Sequence, residues 1–367
     1  MKKSLIALAV AGAVSAPAMA ATSNVDIYGN IGLSYDYVNT GSNVAGEDKK
    51  LSRVSSNSSR IGFKGSEDLG GGLAAIWQIE QQFDWDNGTQ NLLASAAPNP
   101  VGTGTLANNN GLNLRNTFLG LSSKSMGTVL MGKHDTPYKI ATGKLDIFSD
   151  TSADYNNIVA NVRGSILFDL RPGNVLAYIT PTFNGIHGAI AYVFGNELGT
   201  ISAPNQSAWS AMGMYDNGPI FASLAYETHN NLVGSEDRHA WKLGAGYNFG
   251  DGQVGFIYED AQAIVGANAQ NRKAYYLNGQ YNMGNIALKA AYGHAGKLDT
   301  VADSGANTYS LGADYNLSKR SRLYAQYTKT NNDTNGTYSL GAGGGSSIAA
   351  GAGTDPSVFS IGMRHTF

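Results

Sequence analysis

From residue 285 to 295, Ile286, Leu288, Ala290 and Tyr292 alternate with Ala287, Lys289, Ala291 and Gly293. The same beat runs through 240–249, where Trp241, Leu243, Ala245, Tyr247 and Phe249 alternate with Lys242, Gly244, Gly246 and Asn248. It recurs through 273–283, where Tyr275, Leu277, Tyr281 and Met283 alternate with Tyr276, Asn278, Gln280 and Asn282. Successive side chains of a strand point to opposite faces, so each stretch is a strand with one apolar face and one polar or small face. Tyr, Trp and Phe gather toward the strand ends, as expected where strands cross two membrane–water interfaces. A soluble β-sandwich also alternates, but it does not require so many strands of ~10 residues ending in aromatics.

Strands are predicted near 25–38, 51–66, 72–86, 113–123, 127–133, 173–183, 186–196, 207–216, 219–229, 238–249, 253–262, 272–283, 285–295, 306–317, 322–331 and 356–367, sixteen in all. Their connections alternate in length. Asn184-Gly185, Asn217-Gly218, Gly250-Asp251-Gly252 and Gly284 read as tight hairpin turns. Longer polar connections fall near 87–112, 134–172, 197–206, 230–237, 263–271, 296–305 and 332–355. Short turns at one end and long loops at the other predict an all-β chain folded as a transmembrane antiparallel β-barrel. Lipid offers a strand edge no hydrogen bonds, so the sheet must close on itself. An even strand number returns both ends of the chain to the short-turn side.

The first residues carry a different signal. Lys2 and Lys3 precede an apolar stretch from Leu5 to Ala16 and then Ala18-Met19-Ala20, the charged, apolar and small-x-small pattern of a secretory leader. As a helix that stretch reaches ~18 Å at ~1.5 Å per residue, too short for a bilayer core. The expected division is a signal peptide over 1–20 and a barrel domain over 21–367, with Ala21 at the mature N-terminus. No later apolar run of about 18 residues occurs, so no spanning helix is expected. There is no cysteine, so stability must come from packing and backbone pairing. The chain's 25 basic and 27 acidic residues nearly balance, which gives no reason to expect a nucleic-acid partner.

Enzymatic chemistry finds little to stand on. The six histidines are scattered, with no His-x-x-x-His pair, no cysteine nucleophile and no Gly-x-Ser-x-Gly elbow. No catalytic residue, metal site or cofactor is therefore expected. Asp84-Trp85-Asp86-Asn87-Gly88 is acidic but fails the spacing of a calcium loop, and reads as an ordinary connection. The glycine clusters at 70–72 and 341–345 are not followed by helices, so they are not phosphate cradles. The run GAGGGSSIAAGAG (341–353) reads as flexible low-complexity chain with no specific role.

The charged residues are more informative. Arg60 and Lys64 alternate with Ile61 and Phe63, Arg115 with Asn116 and Phe118, and Gln78, Glu80 and Gln82 with Trp77, Ile79 and Phe83. A lipid-facing Arg or Lys near the midplane costs ~2–4 kcal/mol, so these charges belong in the lumen. The connection at 134–172 is the longest, and it carries Lys139, Lys144, Asp146, Asp150, Asp154 and Arg163. It is too long for a hairpin cap. If it folds inward, Arg60, Lys64, Arg115, Arg163 and Arg171 form a basic wall, and Glu80, Asp146, Asp150 and Asp154 form an opposed acidic side.

DIYGNIGLSYDY (26–37), SRIGFKGSEDLGGGLAAIWQIE (59–80), RNTFLGLSS (115–123), MGKHDTPY (131–138), NVLAYITPTFNG (174–185), NLSKRSRLYAQY (316–327) and the terminal GMRHTF (362–367) together resemble a Gram-negative general porin of the trimeric, 16-stranded type. The resemblance implies residence in the outer membrane, a homotrimer, an inward-folded third loop that narrows the channel, and passive diffusion of small hydrophilic solutes and ions. It implies outer-membrane lipid and lipopolysaccharide as surroundings, and a terminal Phe367 read by the barrel assembly machinery. The chain departs from the pattern at Ala177 and Ile179, where such porins often place a basic residue, and at Lys133, where arginine is commoner. Two other functions remain open at this stage. A substrate-specific channel would line its lumen with a row of aromatics or a ladder of bases, and an outer-membrane hydrolase would need Ser, His and an orienting Asn or Asp together on the wall.

Overall fold

The computed structural model describes residues 24–42, 50–83, 112–195, 206–233, 236–265, 268–341 and 347–367. The leader expected at 1–20 and the Asp84-to-Gly88 segment lie outside the described residues. Sixteen strands form one closed antiparallel barrel. They are β1 (Asn24–Asn39), β2 (Lys50–Ser56 and Arg60–Gly70), β3 (Leu73–Phe83), β4 (Leu112–Leu114 and Thr117–Ser123), β5 (Gly127–Lys133), β6 (Val175–Ile179), β7 (Ile186–Phe194) and β8 (Ser207–Asn217). The second half holds β9 (Ile220–Val233), β10 (Glu236–Phe249), β11 (Gly252–Val265), β12 (Asn268–Met283), β13 (Ile286–Ala295), β14 (Ala306–Asn316), β15 (Ser321–Asn332) and β16 (Ser357–Thr366). Each strand pairs with its neighbour in sequence, and β1 closes the ring against β16 from Asn30↔Thr366 to Asn39↔Ser357.

The two faces divide as the alternation requires. Leu224, Leu243, Leu277, Leu288, Leu311 and Ile361 point outward and are 42–63% exposed. Aromatic pairs sit directly opposite one another on the outer ladder: Tyr192–Trp209 at 4.6 Å, Tyr226–Trp241 at 4.5 Å, Tyr258–Tyr275 at 5.2 Å and Tyr292–Tyr309 at 5.3 Å between ring centroids. Such cross-strand ring pairs stabilise a sheet, and their amphipathic rings suit a membrane interface. Asn184 and Gly185 close the β6–β7 hairpin with φ of 49° and 84°, the left-handed pair that a two-residue turn of this twist needs.

Three local expectations are corrected. The connections predicted at 230–237 and 263–271 are strand over most of their length, since β9 reaches Val233, β10 begins at Glu236, β11 reaches Val265 and β12 begins at Asn268. Apolar alternation ends where water begins, but backbone pairing does not, and pairs such as Gln262↔Asn271 extend the ladder beyond the apolar band. Phe118 was expected on the lipid face. The strand is broken at Arg115 and Asn116, which resets the alternation, so Arg115 faces the lumen as expected and Phe118 does too, its ring edge-on to His134 at 5.1 Å. The 341–353 run is not without a role: the Gly341 N–H donates to the Ser152 carbonyl, and Ile348 packs against Leu340 and Val38.

Inside the barrel lies the 134–174 connection. Thr136 caps a short helix, α1 (Pro137–Gly143), with Pro137 in its first turn where a missing N–H costs nothing. The chain then passes through a 3₁₀ turn at Tyr155–Asn157 and a small ribbon pairing Asn161–Val162 with Ser165–Ile166. The inward positions of the wall are small where it passes. A Cβ on Gly244 would come 3.0 Å from Leu145 and Thr142, one on Gly293 2.9 Å from Ile158, and one on Gly312 2.8 Å from Phe148. Ala189, Ala225, Ala240 and Ala261 pack around Tyr138 and Phe168, and Ala274, Ala295 and Ala306 around Ile158. Large residues at those positions would leave no room for a segment of this length.

The barrel seam is equally tight. A Cβ at Gly29 would lie 2.3 Å from the Phe367 ring and 2.7 Å from the Arg60 carbonyl, whereas nothing lies within 4 Å at Gly213. Gly29→Ala should therefore destabilise the barrel by ~1–3 kcal/mol through overpacking, and Gly213→Ala should be close to neutral. The temperature at which the folded, fast-migrating form is lost in detergent gels measures both.

Candidate functional site

Two strands are interrupted, and each carries an arginine at its break. In β2 the backbone leaves the ladder at Asn57–Ser59, with Ser58 at φ 51°, and resumes at Arg60. In β4 it leaves at Arg115 and Asn116. Breaks of this kind re-aim side chains, and here they turn both guanidiniums into the lumen.

The inner loop meets them with Asp150, whose own φ of 62° places a non-glycine residue in the left-handed region. Such strain persists where surrounding contacts impose it. The Asp150 carboxylate accepts from Arg60 Nη1 at 3.0 Å and from Arg364 Nη2 at 2.9 Å. Burial opposes its ionisation, but Arg60 and Arg364, with Arg115 behind them, outweigh burial and hold its carboxyl below the usual range. Arg115 Nε donates to Glu80 Oε1 at 2.6 Å and its Nη1 to Gln82 at 2.9 Å, while the Tyr28 hydroxyl donates to Glu80 Oε2 at 2.9 Å. Arg171 pairs with Asp135 at 2.9 Å, and Lys139 lies 3.7 Å from the same carboxylate. Between loop and wall these groups enclose a space of about 420 Å³, reached by Arg60, Arg115, Arg171 and Lys139 and by Asp135, Asp146, Asp150 and Asp154.

The structure thus brings Arg60, Arg115, Arg171, Glu80 and Asp150 to one gap, though not in the partnership expected. Glu80 belongs to the wall and neutralises Arg115, because it shares the inward face of β3 and not the loop. Asp146 and Asp154 are buried within the loop and accept from its own backbone: Asp146 from Phe148 and Tyr155, Asp154 from Asp150 and Asn156. Lys64 sits four residues nearer the short turn than Arg60, with its ammonium 5.5 Å above the Tyr28 ring. Arg163 is at the apex of the small ribbon, where its Nη2 donates to the Asn335 carbonyl in the last long connection. Both lie away from the gap. Arg364 joins the site without having been expected there, because alternation gives the side of a strand and not what the loop will bring against it. Ala177 and Ile179, where a base was expected of the family, pack around Leu130 and Ala191 on the wall.

A second set of charges is wholly buried behind the loop. Lys242 pairs with Asp169, which also accepts from the Tyr155 hydroxyl at 2.6 Å and Asn156 Nδ2 at 3.0 Å. Arg272 pairs with Glu259, which also accepts from the Tyr138 hydroxyl at 2.8 Å and the Ala160 N–H at 2.9 Å. The Lys242 ammonium lies 4.1 Å from the Tyr138 ring centroid. These wall charges were missed. Their signal was an ionisable residue on an otherwise small inward face, visible at Lys242 between Gly244 and Ala240.

A closed sixteen-stranded barrel with lipid-compatible walls and an ion-lined internal gap is a transmembrane channel. The family model described as Gram-negative porin matches residues 7–335, and the chain belongs to that family. Outer membrane porin protein 32 of Delftia acidovorans is 30% identical over 379 aligned positions, spanning all of both chains. The solved anion-selective porin from Comamonas acidovorans is 28% identical with a TM-score of 0.77, covering 94% of this chain and 100% of that one. The trimer form of OmpT from Vibrio cholerae, at 18% identity and a TM-score of 0.65, covers 94% of this chain and 99% of its own and shares the fold. The protein is an outer-membrane porin, a channel for passive diffusion of small hydrophilic solutes.

Two outcomes follow from the loop's charges. Lys242→Met leaves Asp169 buried without its counter-charge and should loosen the loop by ~3–5 kcal/mol, whereas Lys242→Met with Asp169→Asn should lose less. Protease cleavage within 144–162 and noise in single-channel current report both. The second outcome concerns pH. Burial, reinforced by the neighbouring Asp150, pushes Asp154 up to about 6, and burial with the adjacent Asp154 raises Asp146 as well. A raised carboxyl favours the folded loop when protonated. Its contribution is full below the ordinary Asp value of ~3.9 and is lost as pH rises through about 6. Asp150 works in the opposite sense, stabilising above the ordinary value and failing only as pH falls through its lowered one. Between pH 7.5 and 5 the loop should therefore become harder to cleave, and Asp154→Asn should flatten that dependence.

Proposed function

We propose that this porin prefers anions, and that the gap between Asp150 and the Arg60, Arg115, Arg171 and Arg364 wall is its constriction. The observation that carries this reading is the charge count at the gap. Four arginines and Lys139 face three carboxylates, Glu80, Asp135 and Asp150. The Asp146 and Asp154 carboxyls also line the space, but each accepts two N–H groups of the loop's own backbone and neither pairs with a wall cation. Opposed groups a few ångströms apart lie well inside the ~8 Å Debye length of physiological salt, so the field across the gap survives screening. It orients water and dipolar solutes, and it disfavours apolar ones that cannot replace their hydration. The likeness to the anion-selective Comamonas porin supports the same sign.

Assembly as a homotrimer belongs to the same proposal. Outward aromatics ring most of the barrel, but β4 and β5 present Leu114, Leu119, Leu121, Val129 and Met131 with no exposed ring among them. A sector without interfacial aromatics suits contact with another copy better than contact with headgroups. In this reading residues 1–20 are removed on export, and the short turns and both ends of the barrel face the periplasm. Phe359, Ile361, Met363 and Phe367 share the outward face while Arg364 points inward. Phe367 then acts as the terminal signal for assembly.

Reversal potentials in a low-salt gradient test the preference. The wild type should favour anions, and Arg60→Gln with Arg115→Gln should move selectivity toward cations. Asp150→Asn should move it further toward anions, whereas Asp146→Asn should move it much less. All effects should shrink as salt rises. Unchanged potentials in both the arginine and the Asp150 variants would remove these residues from the constriction. Deleting Phe367 should lower outer-membrane levels far more than it lowers the thermal stability of the protein that does insert.

A further inference from the structure

We propose a second anion subsite, built for a small oxyanion of the phosphate class, in a recess of about 380 Å³ between the underside of the inner loop and the β14–β15 turn. The recess is lined by Asp146, Ile147 and Ser149 of the loop and by Lys319, Arg320, Arg322 and Arg364, and the Asp146 carboxylate there accepts from the loop's own Phe148 and Tyr155 N–H groups. It lies at the short-turn end, on the other side of the Asp146-to-Asp150 segment from the constriction. The proposal rests on the anion-preferring reading only for its place in the conduction path.

Three observations carry it. First, Arg322 and Arg364 are direct cross-strand partners on the inward face of β15 and β16. Like charges set opposite one another destabilise a sheet unless an anion lies between or beside them. Second, the protein's own carboxylates do not balance them. Asp314 is shared by Arg322 at 3.1 Å and Lys289 at 2.6 Å, and Asp150 is shared by Arg364 and Arg60. The Nε of Arg322 is buried without a hydrogen-bond partner, so its guanidinium is left incompletely satisfied. Third, the turn beside them adds two more cations in a fixed shape. The Ser318 hydroxyl accepts from the Arg320 and Ser321 N–H groups, and the Arg320 carbonyl accepts from the Thr366 N–H at 2.8 Å. Those two N–H groups are thereby occupied, and the turn offers the recess the exposed Lys319 and Arg320 side chains.

An oxyanion with several acceptor oxygens answers this arrangement better than chloride does. Guanidinium–phosphate contacts are charge-assisted and often bidentate, so one ligand can engage Arg322 and an adjacent cation together. Because Arg322 and Arg364 are inward residues and the recess lies between them and the inner loop, the site is reached from the lumen by dissolved anions.

The test is block of chloride current by inorganic phosphate, titrated into phosphatidylcholine bilayers that hold the protein, so that lipid phosphate stays constant. Phosphate should reduce single-channel chloride conductance saturably. Lys319→Gln with Arg320→Gln should raise the half-blocking concentration by about tenfold, the scale of one charge-assisted hydrogen bond. Arg322→Gln should raise it too. Lys124→Gln, which removes a cation from a different short turn, should leave it unchanged. If phosphate blocks equally well in the turn variant, or if Lys124→Gln weakens block as much, the subsite is refuted and only a diffuse surface charge remains. The wild-type reversal potential in potassium chloride, read on the same channels, reports separately on the anion preference itself.

Discussion

A bilayer interior contains no water, so every backbone N–H and C=O of a segment that crosses it must find a partner within the protein. The pairing of β1 with β16 is where this chain meets that demand, because an open sheet of the same strands would leave two unpaired edges in lipid. Closure then dictates the rest. A closed ladder fixes the register of every strand, and a fixed register gives each residue one of two faces. The outer face is generic, and leucine or tyrosine serves almost anywhere on it. The inner face alone can carry information specific to this channel.

That inner face is asymmetric. From β7 to β14 many of its positions are alanine or glycine, and the inner loop lies against those strands. Along β2 to β6 and at β16 it carries the arginines that the loop does not cover. Size decides where the loop can lie, and charge decides how it is held there. The buried Lys242–Asp169 and Arg272–Glu259 pairs need not add net stability, since two ions lose hydration when the loop covers them. Their effect is on uniqueness. Any other position of the loop would leave Asp169 or the wall's Lys242, Glu259 and Arg272 dehydrated and unpaired, so alternative packings are penalised more than the native one is rewarded.

This division explains which parts of the molecule were legible in the sequence. Strand existence and face follow from period and composition, so the sixteen strands and the lumenal placement of Arg60 and Arg115 could be read directly. Strand ends could not, because the ladder continues past the apolar band, as at Val233 and Asn268. Phe118 was misassigned because a break at Arg115 and Asn116 inverts the alternation without any composition change that marks it. The site was harder. The loop was recognisable by its length, yet which of its aspartates would reach the wall depended on its internal turns. Asp146 and Asp154 are bound by local N–H groups, and of these three only Asp150, held in a left-handed conformation, reaches an arginine of the wall strands. Four sequence positions separate a residue that shapes the loop from one that shapes the gap.

A pattern in the charges links the loop, the gap and the recess below it. Asp135 is shared by Arg171 and Lys139, Asp150 by Arg60 and Arg364, and Asp314 by Arg322 and Lys289. Two cations on one carboxylate hold each other in place despite their repulsion, and the surplus of one positive charge remains for the solute. A bare pair of arginines would splay apart or bind an anion so tightly that it could not leave. A fully neutralised pair would not attract one. Conduction requires attraction strong enough to draw a hydrated anion into a narrow gap and weak enough, over more than one station, to release it. Carboxylates that each neutralise half of a cation pair meet that requirement along the wall with side chains that are already hydrogen-bonded before any solute arrives.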